Sequence, residues 1–282
     1  MWGVSPVYFV IVAFAQPLEV LAYRVLWSLP LLMLLTTIGK QWAFVRSLDR
    51  RTFLRLALCA FLLSINWLVF IYAIQQGRIA ETSLGYYINP LMSIALGALV
   101  LGERMRKGQW LAVACAALGV AYELFARGEL PWYGLSLAAS FAVYGLVRRQ
   151  IQVPAAAGLG IETGVVAPVA LLYLIYATTT EQFPDRSVDQ LLLLGLGGVV
   201  TALPLLCFGA AASRLPLTLI GFFQYIAPTI SLVIAVWFYG EEVSTERWWS
   251  FALIWLGLLV FSIEGVMAHR SNRKRFAMSA SK

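Results

Sequence analysis

The chain has 282 residues, 61% of them hydrophobic and 12% charged, with a mean hydropathy of +0.79. So little polar side chain cannot clothe a water-soluble globule, and lipid is the solvent for most of the surface. The net charge of +7 comes from 21 Lys and Arg clustered between apolar runs, a membrane-orientation pattern that argues against nucleic acid as a partner, while a single histidine, His269, leaves no zinc site or histidine-based catalytic dyad.

Ten apolar runs follow in order, at 2–15, 19–39, 54–75, 82–102, 108–126, 131–148, 158–178, 190–212, 217–240 and 248–268. Most have the roughly 17–25 residues a helix needs to cross a bilayer. The first does not. From Met1 to Ala15 a helix reaches only about 20 Å, and no charged lead precedes it, so we expect a chain missing part of its first span. Cys59, Cys115 and Cys207 each lie inside an apolar run and read as small core hydrophobes rather than a disulfide frame.

One stretch occurs twice. Residues 84–103 (LGYYINPLMSIALGALVLGE) and 222–241 (FFQYIAPTISLVIAVWFYGE) align at an offset of 138, which pairs Pro90 with Pro228 and Gly102-Glu103 with Gly240-Glu241. The same offset pairs Tyr87 with Tyr225, Ser93 with Ser231, Trp110 with Trp248 and Gly119 with Gly257. The expected fold is therefore an all-α polytopic membrane protein with ten transmembrane helices in two five-helix repeats. The first covers 1–126 and the second 131–268, followed by a basic, unstructured cytoplasmic tail at 269–282.

Five spans are an odd number, so the second repeat enters the membrane upside down relative to the first. Sixteen basic residues, Arg148 and Arg149 among them, fall in loops on one side; Arg78, Arg127, Arg186 and Arg247 fall on the other, and Arg24 lies inside a span. That bias puts both termini in the cytoplasm, with the chain in the cytoplasmic (inner) membrane. Paired, proline-interrupted segments in two inverted halves are the mark of a transporter's binding site.

On span four, Thr82, Tyr86, Asn89, Pro90, Ser93 and Gly97 share one helical face, and span nine repeats the stripe with Gln224, Tyr225, Pro228 and Ser231. An unpaired amide is costly in lipid, so Asn89 and Gln224 should face the bundle interior. Spans four and nine are expected to form facing walls of a cavity, with Tyr86, Tyr87 and Tyr225 supplying apolar contact. Asn66 and Trp67, mid-span, either pack helices or present a donor and a flat wall to a ligand.

Two readings stand for Arg24. It pairs with Glu19, Glu81 or Glu123 or snorkels outward, or it holds an anionic group of the substrate. Glu19, Glu81, Glu123, Glu162 and Glu264 lie near span ends and read as interfacial charges, which leaves coupling to an ion or a proton open. In each Gly-Glu pair, glycine closes one helix and glutamate meets the positive end of the next, and Trp110 and Trp248 read as interfacial anchors.

The stretches EVLAYRVLWS (19–28), INWLVFIYA (65–73), ETSLGYYINPL (81–91), LGERM (101–105), FAVYGLVRR (141–149), PLLCFGAAASRL (204–215) and GFFQYIAPT (221–229) resemble the EamA repeats of the drug/metabolite transporter superfamily, and among them the RarD subfamily. The resemblance implies a ten-helix inner-membrane permease or exporter of a small molecule, either a drug such as chloramphenicol or a metabolite. No Gly-rich, lysine-ending nucleotide loop is present, so no cofactor is expected and an ion or solute gradient supplies the energy. An intramembrane enzyme lacks a positioned acid, base or nucleophile here. A non-transporting receptor or scaffold stays open, although it gives no reason for an inverted duplication. No residue pattern specifies an oligomeric state.

Overall fold

A computed structural model describes residues 1–76, 79–127, 130–180, 182–183, 185–240 and 242–280, without the side chains of Pro6, Ile74, Gln75, 79–81, Ser83, Arg127 and 268–280. After a 3-10 turn at Trp2–Val4 come α1 (Ser5–Ile11), α2 (Pro17–Ile38), α3 (Trp42–Arg46), α4 (Arg50–Gln75), α5 (Ile79–Leu99) and α6 (Lys107–Arg127). The order continues with α7 (Trp132–Arg149), α8 (Ala155–Thr179), α9 (Val188–Ala212), α10 (Leu217–Gln224), α11 (Ile226–Tyr239) and α12 (Thr245–Ala280).

Seven segments among the described residues are long and apolar enough to cross a membrane: Pro17–Ile38, Arg50–Ala73, Lys107–Ala126, Ala155–Thr179, Val188–Ala212, Leu217–Tyr239 and Thr245–Met267. Trp2–Ile11 and Leu84–Leu99 are apolar but shorter. Phe61, Leu118, Leu172, Trp237 and Phe238 stand fully outward, a surface that water would not tolerate and acyl chains do.

The duplication is visible in where the helices begin. α2 and α8, α4 and α9, α5 and α10, and α6 and α12 each start 138 residues apart, and α1 and α7 end 138 apart. Gly102 and Gly240, at φ +65° and +63°, both leave their helices in the left-handed conformation that glycine adopts without strain. Trp110 and Trp248 both stand exposed near the starts of α6 and α12, where amphipathic rings sit at a membrane interface. Glu241 lies outside the described residues.

Equivalent helices also meet each other. A Cβ at Gly119 would stand 2.7 Å from the Ser250 carbonyl oxygen, and one at Gly257 would stand 2.7 Å from that of Ala112. Contact therefore runs from 112–257 to 119–250, which makes α6 and α12 antiparallel neighbours whose backbones touch because no side chain intervenes. Arg106–Glu264 (2.7 Å) and Arg247–Glu123 (3.3 Å) pair the same two helices at their opposite ends. Around this seam α5 packs on α7 and α10, α2 on α8 and α9, and α4 on α7 and α8. One core gathers Leu32, Leu56, Cys59, Tyr144, Leu159 and Phe208, and a second gathers Leu84, Tyr87, Ala116, Tyr225 and Phe251.

Several expectations are corrected. Pro90 lies inside a continuous α5, whereas the ninth run is broken at Tyr225, between α10 and α11; Pro228 lacks the N–H that would reach the Gln224 carbonyl, and the break falls there. The segment after His269, expected to be unstructured, continues α12 to Ala280, while residues 281 and 282 lie outside the described residues. Of the cysteines only Cys59 is buried; Cys115 is half-buried and Cys207 is exposed. Arg148, counted in the sequence as a loop charge, is only 2% exposed.

Candidate solute-binding site

The polar stripe of α5 meets α10 along half its length. A Cβ at Gly97 would stand 2.9 Å from the Thr218 nitrogen, and one at Gly221 would stand 2.8 Å from the Pro90 carbonyl oxygen and 2.6 Å from Ile94. Next along the crossing, Asn89 Nδ2 donates to Gln224 Oε1 at 2.7 Å. Asn89 Oδ1 and Gln224 Nε2 remain buried with no partner among the described residues. Instead of two walls facing across a cavity, these segments are in direct contact, and the two amides join them.

The end of this contact is sealed by Glu103. Its carboxylate accepts from the Leu217 N–H at 2.7 Å and the Thr218 N–H at 2.8 Å, so it caps the first turn of α10. The dipole that the glutamate meets therefore belongs to the other half of the chain, not to the next helix in sequence. At the other end the arrangement differs: among the described residues α5 makes no comparable contact with α11, and Tyr86 is 54% exposed.

Beside that opening stands Arg24. Its Nε–H donates to Thr201 Oγ1 on α9 at 2.6 Å, and Thr201 in turn donates to the Gly197 carbonyl at 2.7 Å. The absence of a side chain at Gly197 leaves room for the Arg24 stem, whose Cγ would lie 2.5 Å from a Cβ there. The guanidinium carbon is 5.0 Å from the Phe9 ring centroid and 5.8 Å from that of Trp67, and the hydroxyls of Tyr8 and Tyr86 are within electrostatic range. Side chains of α1, α4, α5 and α9 thus stand around a cation carried by α2.

None of the carboxylates offered for it by the sequence is its partner among the described residues. Glu19 is held by Arg186 through contacts of 3.0 and 2.7 Å, Glu123 by Arg247, and the Glu81 side chain lies outside the described residues. The hydrogen bonds it donates to Glu19 push the Arg186 guanidinium, in the loop before α9, above its ordinary range.

Thr201 and Trp67, which touch Arg24, also line a cavity of about 20 Å³, enough for one water. Its lining includes Val25, Ser28, Trp67, Glu162, Thr163 and Thr201. Glu162, expected to be an interfacial charge, is 2% exposed; its Oε1 is 3.4 Å from Arg148 Nε, and its Oε2 accepts from the Tyr144 hydroxyl at 3.3 Å. Sequence reasoning missed this cluster. The one signal was a glutamate in an otherwise small and apolar helix, at the 138-residue offset from Arg24.

The other candidates lie apart from the opening. Tyr87 packs edge-on against Phe251 with centroids 5.1 Å apart. Tyr225 is fully buried in the same core, and its hydroxyl has no partner among the described residues. Asn66 donates to the Leu137 carbonyl at 2.8 Å and to Ser140 Oγ at 2.9 Å, tying α4 to α7. The structure therefore brings Arg24, Trp67 and Tyr86 together, sets Asn89 and Gln224 one turn further along α5, and directs Tyr87, Tyr225 and Asn66 elsewhere.

The model of the EamA-like transporter family matches residues 1–124 and again 131–263. An uncharacterized transporter of Vibrio cholerae serotype O1 is 45% identical over 280 residues, covering 98% of this chain and 93% of the relative. Protein RarD of Escherichia coli K12 is 43% identical over 278 residues, covering 97% and 94%. A solved crystal structure shares the fold at a TM-score of 0.71 and 19% identity, covering 92% of each chain. The chain is a polytopic membrane protein of the EamA-like transporter family, a family of transporters rather than enzymes, and a homologue of RarD.

Proposed function

We propose that the chain is a secondary transporter that carries a small organic solute across the cytoplasmic membrane by alternating access. In this reading ten transmembrane helices form two inverted five-helix repeats, residues 1–126 and 131–268, with both termini in the cytoplasm and the basic segment 269–282 lying near its anionic headgroups. The fixed spacing of helix starts and the antiparallel crossing of α6 with α12 support the inversion. The distribution of basic residues supports the orientation even with Arg148 set aside. Arg24, Trp67, Tyr86, Asn89 and Gln224 line the solute path, and Tyr87, Tyr225 and Asn66 support it from behind.

The observation that carries the reading is the asymmetry of α5. It closes on α10 at the Glu103 end and, among the described residues, makes no comparable contact with α11 at the other, although α10 and α11 continue one duplicated span. With Glu103 on the cytoplasmic side, the cleft at Tyr86 and Arg24 opens outward. Exchange of the two conformations between the repeats closes it, bringing Tyr86, the counterpart of Gln224, against Ala227, the counterpart of Asn89, as Asn89 and Gln224 part. Asn89→Cys/Gln224→Cys, cross-linked in reconstituted vesicles, should abolish solute flux, and reduction should restore it. Undiminished flux from the cross-linked protein, or no flux by the uncross-linked protein for any of a broad metabolite and drug panel, overturns the reading.

A further inference from the structure

We propose that the solute is a monoanion whose carboxylate is gripped by Arg24 and whose apolar, ring-sized body lies against Phe9, Trp67 and Tyr86. This rests on the reading of the cleft as the solute path and adds the chemistry the cleft selects. A guanidinium with no counter-charge among the described residues is costly to hold in a region of low dielectric, so its surroundings indicate what completes it. Thr201 takes the Nε–H and fixes the plane of the group, while the two terminal nitrogens make no hydrogen bond among the described residues and are not buried.

Two parallel N–H groups on a fixed planar edge match a carboxylate bidentately. One cation balances one negative charge, so a carboxylate fits a single guanidinium better than a phosphate dianion. Phe9 and Trp67 lie at cation–π distances of 5.0 and 5.8 Å, an arrangement that leaves the guanidinium edge free for an anion. Tyr86, 54% exposed with its hydroxyl near the cation, extends the aromatic wall past that edge. A small inorganic anion would satisfy the charge and leave the Tyr86 ring uncovered.

The test is thermal unfolding of the full chain in detergent, titrated at constant ionic strength with phenylacetate, phenylacetamide, hexanoate or chloride. Phenylacetate should raise the midpoint saturably, hexanoate less so, and phenylacetamide and chloride not at all. Arg24→Met should weaken phenylacetate at least about tenfold, with Arg24→Lys in between because it keeps the charge but loses the fork. Thr201→Val guards against a folding defect: it removes only the group that sets the plane, and should weaken phenylacetate several-fold while the protein elutes like the parent.

An equal shift with phenylacetamide, saturation by chloride alone, unchanged affinity in Arg24→Met or in Thr201→Val, or no shift with either carboxylate up to its solubility overturns the proposal. The transport reading fails separately. Vesicles that pass uncharged or cationic solutes but bind no carboxylate sink only this proposal, whereas vesicles that bind phenylacetate and pass nothing sink only the transport.

Discussion

Arg24 and Glu162 are each the eighth residue of their helix, α2 and α8, 138 positions apart in one duplicated unit. The two repeats solve the problem of a mid-bundle charge in opposite ways. Glu162 is sealed from solvent and carries its own counter-ion, Arg148, with the Tyr144 hydroxyl on its other oxygen. Among the described residues Arg24 has a hydroxyl, two aromatic faces and an accessible edge. Duplication supplies equivalent positions, and divergence at one pair lets one repeat keep a structural ion pair while the other presents an open charge.

The largest test of this contrast is on the sealed side. Arg148→Met or Glu162→Leu alone strands a buried charge and should cost about 3–5 kcal/mol, whereas the double variant should recover most of the loss. Thermal unfolding in detergent reads both; a double variant no better than the singles would show that Glu162 is not held by its pair. The next test asks whether the repeats remain equivalent where they still look alike. Gly119→Leu and Gly257→Leu each force a side chain into a backbone contact, and should lower stability by about 1–3 kcal/mol, and by similar amounts. Markedly unequal losses would mean that the α6–α12 seam is not symmetric.

The smallest expected effect is on the open side. Arg24→Met strands no partner charge among the described residues and removes one hydrogen bond, so it should change stability by only about 1 kcal/mol. A loss as large as that of the single Arg148 or Glu162 variants would mean that Arg24 is a structural charge too, and the contrast would be gone.

The duplication, the helical class and the glycine ends were legible in the sequence because they are encoded locally, in run length, offset and the residues that permit φ above zero. Burial of the charges was not. Arg148 ends an apolar run, where a basic residue reads as a loop anchor, and only the packing of α7 between α4, α5 and α9 turns it inward. Glu162 lies in a helix of small residues whose hydropathy hides it. The stripe on α5 was recognisable as a special face, yet a period of three and four cannot say whether that face meets water or another helix. Gly97, Pro90 and Asn89 meet α10, whereas Tyr86 on the same face meets open space. Tyr87 and Tyr225 matched in register for a different reason, since both fill one apolar core.

The carboxylate of Glu103 reaches across the halves to the amides of Leu217 and Thr218. Prising α10 from α5 at that end must first undo two charge-assisted hydrogen bonds and leave a bare helix start behind, so the Gly-Glu turn acts as a latch whose strength is set by one side chain. Shortening that side chain to aspartate would loosen the latch without touching the solute path, and would shift how long the protein dwells in each of its shapes.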